Sequence, residues 1–298
     1  MKTISPIQVK PPKKKQQIQS TFNYLTYAIL LILGVGWMLP FYWMASSSVK
    51  NDQQVFVVPP VWIPNPPRWI NFVEAWGAQN FNLYTFNTLF RYALPVTIGT
   101  VLSCALIAYG FARIDWPGRG VFFAICLSTL MVPFQVTMVP LFIIFKNLGW
   151  NNTFLPLVIP SFFGNPYFIF LLRQFFKGIP EELSDAARID GANEFEILFR
   201  IIIPLARPAL MVVGLLTFMG AWNDYLGPLI YLHKPDQYTL SLGIQFLRDT
   251  MSSKVTRMAL AYPYLMAVST IVTIPLVIIF LFAQRSFIEG ISTTGIKG

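Results

Sequence analysis

Residues 177–208 read KGIPEELSDAARIDGANEFEILFRIIIPLARP, a charged stretch that lies between two long apolar runs. Pro180 is favoured in the first turn of a helix, because its missing N–H is not needed there. Gly191 can adopt the left-handed backbone that ends a helix. Asn193 and Glu196 stand three residues apart, which is the spacing of a capping box at the start of another helix. The stretch therefore predicts two short helices separated by a turn.

The first of these helices is predicted to be amphipathic, with small residues at its centre. Glu181 and Glu182 place negative charge at its N-terminus, where the helix dipole favours it. Small side chains let the backbone of another protein approach closely, while flanking charges fix its register. A solvated helix between two membrane spans would have the same local chemistry, so helix chemistry alone leaves both interpretations open. Four residues share one face of the helix at i, i+3 and i+4 spacing: Leu183, Ala186, Ala187 and Asp190.

The composition of the chain excludes an ordinary soluble domain. Of its 298 residues, 55% are hydrophobic and only 12% are charged, whereas a soluble domain carries about 25% charged residues. A helix needs about 20 apolar residues to span the hydrocarbon core of a membrane, and most of the charge-free runs exceed that length. The runs lie between Lys15 and Lys50 and over residues 92–112, 120–145, 147–172, 208–223 and 258–284.

Six transmembrane helices are predicted from these runs, which defines the fold class as an all-α integral membrane protein. The fifth run reaches full length if it starts at Ile201 and if Arg207 snorkels to the interface. The first run follows three lysines and could be a signal peptide. Its apolar stretch, about residues 24–44, is longer than the apolar region of a signal peptide and has no small-residue cleavage site, so we interpret it as a retained helix.

The distribution of basic residues predicts that both termini are cytoplasmic. The net charge is +9, and most of the 22 Lys and Arg residues fall before helix 1, in the 113–120 loop, between Arg173 and Arg207, and near the C-terminus. Cytoplasmic loops of membrane proteins carry an excess of Lys and Arg. A basic N-terminal arm is also attracted to anionic headgroups. Membrane lipid is therefore an expected partner, and no nucleic acid is needed to explain the charge.

The charged stretch carries a family resemblance. Asp185-Ala186-Ala187, three residues, Gly191, nine residues and then Ile201-x-Ile203-Pro204 resembles the "EAA" loop of permease subunits of binding-protein-dependent ABC importers. The surrounding EELSDAARIDGAN is similar to the carbohydrate branch, the maltose-type permeases, and the C-terminal RSFIEGISTTGIKG resembles the tail of the smaller subunit of that type. Asp185 stands for the usual Glu and Ile203 for the usual Leu.

The resemblance implies a function for this loop, which in the family forms a coupling helix that docks into a cleft on a cytoplasmic ATPase subunit. It also implies the partners: a second related permease subunit, two ATP-binding subunits and an extracytoplasmic solute-binding protein, all at a prokaryotic cytoplasmic (inner) membrane. The chain would then be the transmembrane subunit of an importer for a sugar or sugar-like solute. The residues to which the resemblance assigns ATPase coupling are Glu181, Glu182, Leu183, Asp185, Ala186, Ala187, Ile189, Asp190, Gly191 and Pro204.

The predicted organisation follows from the spans and from the resemblance together. A disordered basic cytoplasmic arm covers residues 1–21, transmembrane helix 1 covers 22–48, and an outer loop covers 49–86. The permease core covers residues 87–284 and contains helices 2–6. The coupling loop at 177–200 lies between helices 4 and 5, and a cytoplasmic tail covers residues 285–298.

Polar residues inside or beside the predicted spans are candidates for the solute path. Gln135 lies between two prolines of helix 3, and it could line a path or bond a neighbouring helix. Trp222, Asn223 and Asp224 end helix 5 in a run that is typical of carbohydrate permeases. Asn and Asp bind hydroxyl groups and Trp stacks on sugar rings, but polar residues beside an interfacial Trp would equally suit a plain helix end. Asn165 of helix 4 is a further candidate.

The sequence lacks the motifs of an enzyme. It has no P-loop, H-E-x-x-H, C-x-x-C or G-x-S-x-G motif, and its single histidine, His233, cannot furnish a metal site or an acid–base array. Cys104 and Cys126 fall within predicted spans, and we interpret them as packing residues. We therefore expect no catalytic residue, metal or cofactor on this chain, with ATP and Mg²⁺ bound by the partner ATPase.

Two alternatives follow from the same residues. A secondary transporter would place ionisable residues within the membrane and would be built from paired repeats, whereas the six predicted spans hold no charge at mid-depth. A permease for a non-sugar solute, such as a glycerol phosphate or a compatible solute, fits the sequence as well as a sugar permease does. The selective contacts can lie in the partner permease or in the binding protein, so the sequence does not identify the solute.

Overall fold

The computed structural model describes residues 13–252 and 258–292, and every regular element in these two ranges is helical. Short π-helical segments and 3₁₀ turns connect several of the α-helices. The α-helices in chain order are α1 Lys13–Ser48, α2 Asp52–Val55, α3 Ile70–Gly77, α4 Phe81–Phe86, α5 Leu94–Arg113, α6 Arg119–Ser128, α7 Phe134–Asn147, α8 Leu155–Val158, α9 Pro166–Gly178, α10 Glu182–Ile189, α11 Glu194–Ile197, α12 Ile203–Leu205, α13 Arg207–Asn223, α14 Leu226–Tyr231, α15 Leu240–Ser252 and α16 Met258–Ser292.

Long apolar helices dominate this arrangement. Four continuous stretches are long and apolar enough to cross a membrane. Two further pairs of helices meet the same criterion together but are bent, by 98° at residues 131–134 and by 80° at residues 205–207. The described residues therefore contain four candidate spans, or six if each bent pair crosses once. The four continuous stretches are Tyr24–Ser48, Phe81–Arg113, Leu155–Gly178 and Ala261–Gln284.

The first and last helices extend beyond their predicted bounds. α1 ends at Ser48 as predicted, but it begins at Lys13, inside the arm that the sequence predicts to be disordered. Lys and Gln are good helix formers, and no Gly or Pro interrupts residues 13–22, so the helix continues backwards from the apolar run. α16 likewise continues to Ser292, through most of the predicted tail. Residues 1–12 of the arm and 293–298 of the tail lie outside the described residues.

The third predicted helix is broken rather than continuous. α6 ends at Ser128, a 3₁₀ turn follows, and α7 begins at Phe134. The break falls at Pro133, whose backbone is extended with φ −63° and ψ 140°. Proline has no N–H to donate to the preceding turn, and its ring clashes with that turn. Pro140 lies inside α7 without ending it.

The segment that follows α1 is tied to α3. The Asn71 amide donates to the carbonyls of Ser48 and Lys50, with N–O distances of 2.9 Å each. Lys50 is fully buried, and its Nζ lies 3.6 Å from the centroid of the Trp43 ring. Loss of hydration on burial lowers the pKa of Lys50. The beginning of the predicted 49–86 loop is therefore packed against the helices.

Hydrogen bonds show which helix ends lie together. At one end of the bundle, the Arg113 guanidinium at the end of α5 donates to the carbonyls of Phe176 and Ile179 at the end of α9. α5 and α9 pack side by side along their length. Both helices therefore finish at the same end of the bundle. α10 follows α9 at that end.

The opposite end of the bundle is held by a second set of hydrogen bonds. The Asn87 amide, before α5, donates to the carbonyls of Asp236 and Tyr238 at 3.0 Å each. The backbone N–H of His233 donates to Asn152 Oδ1 at 2.8 Å. The connections before α5, between α7 and α8, and between α14 and α15 therefore meet at this end.

The buried apolar side chains form two cores. One includes Phe81, Trp222 and Leu247, near the end that carries Asn87. The other includes Leu172 and Phe176 of α9, and it lies under the α10–α11 region. Cys104 belongs to this second core and is fully buried, which agrees with its predicted packing role.

Candidate functional site

α10 is the short helix that the 177–208 stretch predicts, but it begins just after Pro180 instead of including it. Glu181 is the N-cap residue and Glu182 is the first helical residue, so Pro180 precedes the helix and does not occupy its first turn. The Glu181 carbonyl accepts hydrogen bonds from the backbone N–H groups of Ser184 and Asp185. The acidic residues still lie at the positive end of the helix dipole, as predicted.

The C-terminus of α10 is a Schellman motif centred on Gly191. Gly191 has φ 85°, which a residue with a side chain rarely adopts. Its N–H donates to the Arg188 carbonyl at 3.1 Å, and the Ala192 N–H donates to the Ala187 carbonyl at 2.9 Å. This pair of bonds satisfies carbonyls that the helix end leaves free. The predicted left-handed stop is therefore confirmed.

The second predicted helix starts with the expected capping box. The backbone N–H of Glu196 donates to Asn193 Oδ1 at 3.0 Å, and the backbone N–H of Asn193 donates to Glu196 Oε2 at 3.1 Å. α11 is short, because a π-helical segment over Leu198–Ile202 follows it, before α12 and the bend at Ala206. Pro204 lies half-buried in α12.

The exposed face of α10 differs from the predicted face at one residue. Leu183, Ala186 and Asp190 are exposed, as the spacing predicts, and Ile189 is 86% exposed. Ala187 is half-buried, because it packs with Ala192 against the second core. The small-residue pair is therefore divided, with Ala186 facing outwards and Ala187 turned towards the chain itself.

Arg188 connects α10 to two carboxylates. Its Nη1 donates to Asp185 Oδ1 at 2.8 Å, and its Nε donates to Glu194 Oε1 at 2.9 Å. The hydrogen bond with Glu194 raises the pKa of Arg188 above its ordinary value. Glu194 also accepts from the Tyr109 hydroxyl of α5 at 2.5 Å. Asp185, whose partner the sequence does not identify, is thus paired within its own helix.

Two arginines join the ends of α5 and α9 reciprocally. Arg113 of α5 caps carbonyls at the end of α9, and Arg173 of α9 donates through Nε to the Phe111 carbonyl of α5 at 3.0 Å. The Arg173 guanidinium also lies 4.0 Å from the centroid of the Phe123 ring. Cations at helix C-termini are favoured by the helix dipole. This clamp fixes the backbone from which α10 departs.

Two cavities flank α10 and α11. A polar cavity of 590 Å³ lies before α10, where it is lined by residues that include Arg119, Lys177 and Glu182. An apolar cavity of 360 Å³ lies between α5 and α11, where it is lined by residues that include Leu106 and Phe195. Phe195 is 67% exposed. The loop therefore offers both charged and apolar surface around the exposed face of α10.

The candidate path residues occupy different environments. Gln135 is exposed on α7, just after the break. Asn165 is the N-cap of α9, where its Oδ1 accepts from the N–H groups of Tyr167 and Phe168, so its side chain caps a helix that starts inside a candidate span. No hydrogen bond or ion pair within residues 13–252 and 258–292 links Gln135 to Asn165 or to the cluster at the end of α13.

The cluster at the end of α13 is mostly used in packing. Trp222 is 3% exposed and stacks on Phe218 with ring centroids 5.6 Å apart, so its ring is not accessible to a solute in this conformation. Asp224 accepts from the Tyr92 hydroxyl at 2.5 Å and from the N–H of Gly227 at 3.1 Å. Asn223 is exposed, and its amide donates to the carbonyl one turn earlier in α13. Gln135, Asn165 and Asn223 are thus the exposed members of the predicted set, and the Asn165 side chain is already used as the cap of α9.

Sequence reasoning missed the residues that hold α10 in place. Tyr109 and Glu194 are 85 residues apart in sequence, and Arg113 bonds carbonyls more than 60 residues away. No local sequence motif marks the Tyr109–Glu194 contact or the contacts of Arg113. The available signal was the position of these polar residues at the ends of long apolar runs, where an unpaired charge is costly.

A helical chain with several apolar stretches of this length is a multi-pass membrane protein, and comparisons with known proteins identify its family. The family described as binding-protein-dependent transport system inner membrane component matches residues 102–292. The chain belongs to this family. The resemblance predicted from the EAA-like loop is therefore confirmed.

Similar proteins extend this match over nearly the whole chain. The probable ABC transporter permease protein YurM of Bacillus subtilis (strain 168) is 33% identical over 298 residues, which cover 98% of this chain and 94% of YurM. The arabinooligosaccharides transport system permease protein AraQ of the same strain is 35% identical, with 94% of this chain and 97% of AraQ covered. The sn-glycerol-3-phosphate transport system permease protein UgpE of Yersinia enterocolitica is 32% identical, with 88% and 94% covered.

A solved structure shares the fold. One chain of a bacterial ABC transporter involved in the import of the acidic polysaccharide alginate matches with a TM-score of 0.78 and 23% identity. The match covers 93% of this chain and 99% of that chain. The helical arrangement described above is therefore the fold of that chain.

Proposed function

We propose that this chain is the transmembrane subunit of an ATP-driven importer for a sugar or sugar-like solute, and that α10 is the surface through which a separate ATPase acts on it. The observation that carries the proposal is the exposed face of α10. Ile189 is 86% exposed and Leu183 is 44% exposed on a helix whose other exposed residues are mostly charged. Exposed apolar side chains rimmed by charges are typical of a surface that another protein covers.

The contacts at the two ends of the bundle support six crossings. The ends of α5 and α9 lie side by side, which supports two crossings between Arg113 and Gly178. One of these crossings is the bent pair α6–α7. The bonds from Asn87 to the 236–238 connection likewise support a crossing between α10 and that connection, by α11–α13. Six crossings place both termini on one side, and the basic residues favour the cytoplasm.

The names of the relatives support an oligosaccharide as the solute. AraQ is named for arabinooligosaccharides, and a further relative, the diacetylchitobiose uptake system permease NgcG of Streptomyces coelicolor, is 29% identical to this chain. UgpE is named for sn-glycerol-3-phosphate, which makes a sugar-like phosphate ester the second candidate. Exposed Gln135 and Asn223 are the side chains that we propose for the solute path.

The proposal includes the other subunits of the importer. A second related permease would enclose the path, two ATP-binding subunits would bind ATP and Mg²⁺ below α10, and an extracytoplasmic binding protein would deliver the solute, at the cytoplasmic membrane of a prokaryote. This chain then performs no covalent chemistry. The membership of the family and the permease names of the relatives support these partners.

Substitution of Ala186 by Trp tests the docking role. Ala186 is exposed at the centre of the face, so a bulky side chain there blocks a partner without entering the chain's own core. We expect the importer, co-expressed with its neighbouring genes, to lose both the co-purifying ATPase and ATP-driven uptake. Labelled arabino-oligosaccharide, diacetylchitobiose and glycerol 3-phosphate serve as the uptake probes.

The matched control is Ala78→Trp, because Ala78 is also exposed but lies after α3, at the other end of the bundle. It should leave ATPase binding and uptake unchanged. Ala187→Trp is a poorer test, since that residue packs against the core. Unchanged uptake and ATPase binding in Ala186→Trp would rule out docking through this face.

A further inference from the structure

Both ends of α10 are attached to the same face of α5. After the C-terminus of α10, Glu194 accepts a hydrogen bond from Tyr109. Before its N-terminus, the Phe176 and Ile179 carbonyls accept from Arg113. Tyr109 and Arg113 are four residues apart on one helix, so their side chains lie one above the other. The loop that carries α10 is therefore held by a single turn of α5.

At the C-terminal end of α10, three side chains form the attachment to α5, and charge-assisted hydrogen bonds join them. Arg188 of α10 donates to Glu194 at 2.9 Å, and Tyr109 of α5 donates to the other oxygen of the same carboxylate at 2.5 Å. Such bonds are roughly twice as strong as bonds between neutral groups. The Glu194 carboxylate is thus the link between α10 and α5.

We propose that Tyr109 and Arg188 are positioning residues that make α5 move together with α10 when the ATPase acts on the importer. This inference rests on the proposed function. A docked partner would touch the outward face of α10, which carries Ala186 and Ile189, whereas Arg188 and Tyr109 lie behind that face. The two residues transmit movement of the docked helix into the membrane and do not themselves bind the ATPase.

The Tyr109 hydroxyl can be removed with little other change. Tyr109 is 3% exposed and packs in the second core, and phenylalanine retains that ring. Tyr109→Phe therefore breaks the link from α5 to Glu194 while the docking face stays intact. Arg188→Gln breaks the link from the α10 side, at a residue that is partly exposed and so tolerant of substitution.

The experiment uses the complete importer in sealed vesicles and measures ATP hydrolysis and solute uptake in the same sample. The probe is whichever of the three labelled solutes the wild-type importer takes up. We expect Tyr109→Phe and Arg188→Gln to retain the co-purifying ATPase and ATP hydrolysis. Solute taken up per ATP hydrolysed should fall by roughly fivefold or more, the scale of one lost charge-assisted hydrogen bond.

Two control variants match these substitutions. Tyr167→Phe removes a hydroxyl that has no hydrogen bond among the residues that the structure describes, and Arg200→Gln removes the exposed 3.5 Å ion pair with Glu196 in the same loop. Both should keep the wild-type ratio of uptake to hydrolysis. Arg188→Lys keeps the charge and should restore part of the ratio of uptake to hydrolysis. The double variant Tyr109→Phe with Arg188→Gln should have a ratio no lower than that of the poorer single variant, because both substitutions act through Glu194.

The outcomes separate this inference from the function on which it rests. A wild-type ratio in both single variants would overturn the inference, and so would loss of the ATPase from the purified complex, since these residues would then maintain the docking surface. Retention of ATPase and uptake in Ala186→Trp would instead overturn the proposed docking. If the Tyr109→Phe protein accumulates poorly in the membrane, the Arg188→Gln variant alone tests the inference, because Arg188 lies nearer the surface.

Discussion

Single side chains decide the geometry of the α10 region. Arg113 is only 7% exposed, and its guanidinium donates to the Phe176 and Ile179 carbonyls at the end of α9. Gly191 supplies the φ of 85° that allows the chain to leave α10 and enter α11. Neither residue belongs to α10 itself, yet together they fix the direction in which its exposed face points.

Loss of the Arg113 guanidinium should destabilise the chain. Arg113→Gln removes a buried charged donor: the Ile179 carbonyl loses its side-chain partner, and the Phe176 carbonyl keeps only the bond from the Ile179 N–H, which costs roughly 1–3 kcal/mol. We expect a melting temperature several degrees lower for the detergent-purified chain. Arg200→Gln is the control, because its ion pair is exposed and contributes about 0–1 kcal/mol. Equal melting temperatures for the two variants would show that Arg113 does not hold α9.

At the scale of elements, breaks in the apolar helices are as informative as the helices themselves. The fourth predicted helix, 147–172, is interrupted by a 3₁₀ turn and by Gly164, with φ 90° and ψ 155°, before Asn165 caps α9. Broken backbone at membrane depth is tolerated where its polar groups find partners. The Asn165 side chain supplies one such partner, by accepting from two N–H groups of α9.

Alanine at position 164 should therefore be costly. Gly164 has a conformation that is essentially restricted to glycine, and strain of this kind costs about 1–3 kcal/mol. A Cβ there would also lie 2.7 Å from Ile107 Cδ1. Thermal unfolding of Gly164→Ala should occur at a lower temperature than in wild type. Gly110→Ala in α5, where a Cβ meets nothing within 4 Å, should be neutral or stabilising, and the same melting point for both variants would contradict this account.

The elements that the sequence predicts well are those set by local chemistry. The Gly191 stop and the Asn193–Glu196 box depend on residues within a few positions of each other, so their spacing is sufficient to predict them. Hydropathy predicts a continuous third helix, because it does not register that Pro133 removes a hydrogen bond. The inward turn of Ala187 depends on tertiary packing with Ala192 and the core, which helical spacing alone does not reveal.

At the scale of the whole molecule, α5 is the helix around which the described residues are arranged. It packs against α9 and α13, and it carries the two residues that hold the α10 loop. The family and its apolar helices follow from the sequence, because the EAA-like spacing and the charge-free runs are both visible there. The link through Tyr109 cannot be predicted from the sequence, because Tyr109 and Glu194 are 85 residues apart in the chain.

The central claim is that α10 is a cytoplasmic surface covered by a separate ATPase. Ile189 is the most direct probe of it, because its side chain is 86% exposed and Ile189→Cys disturbs no packing. The measurement is the rate at which a membrane-impermeant maleimide modifies this cysteine in sealed vesicles of each orientation, with and without the ATPase subunits. We predict modification only from the cytoplasmic side, and strong protection when the ATPase is bound. Modification from the outer side, or an equal rate with and without the ATPase, would contradict the account.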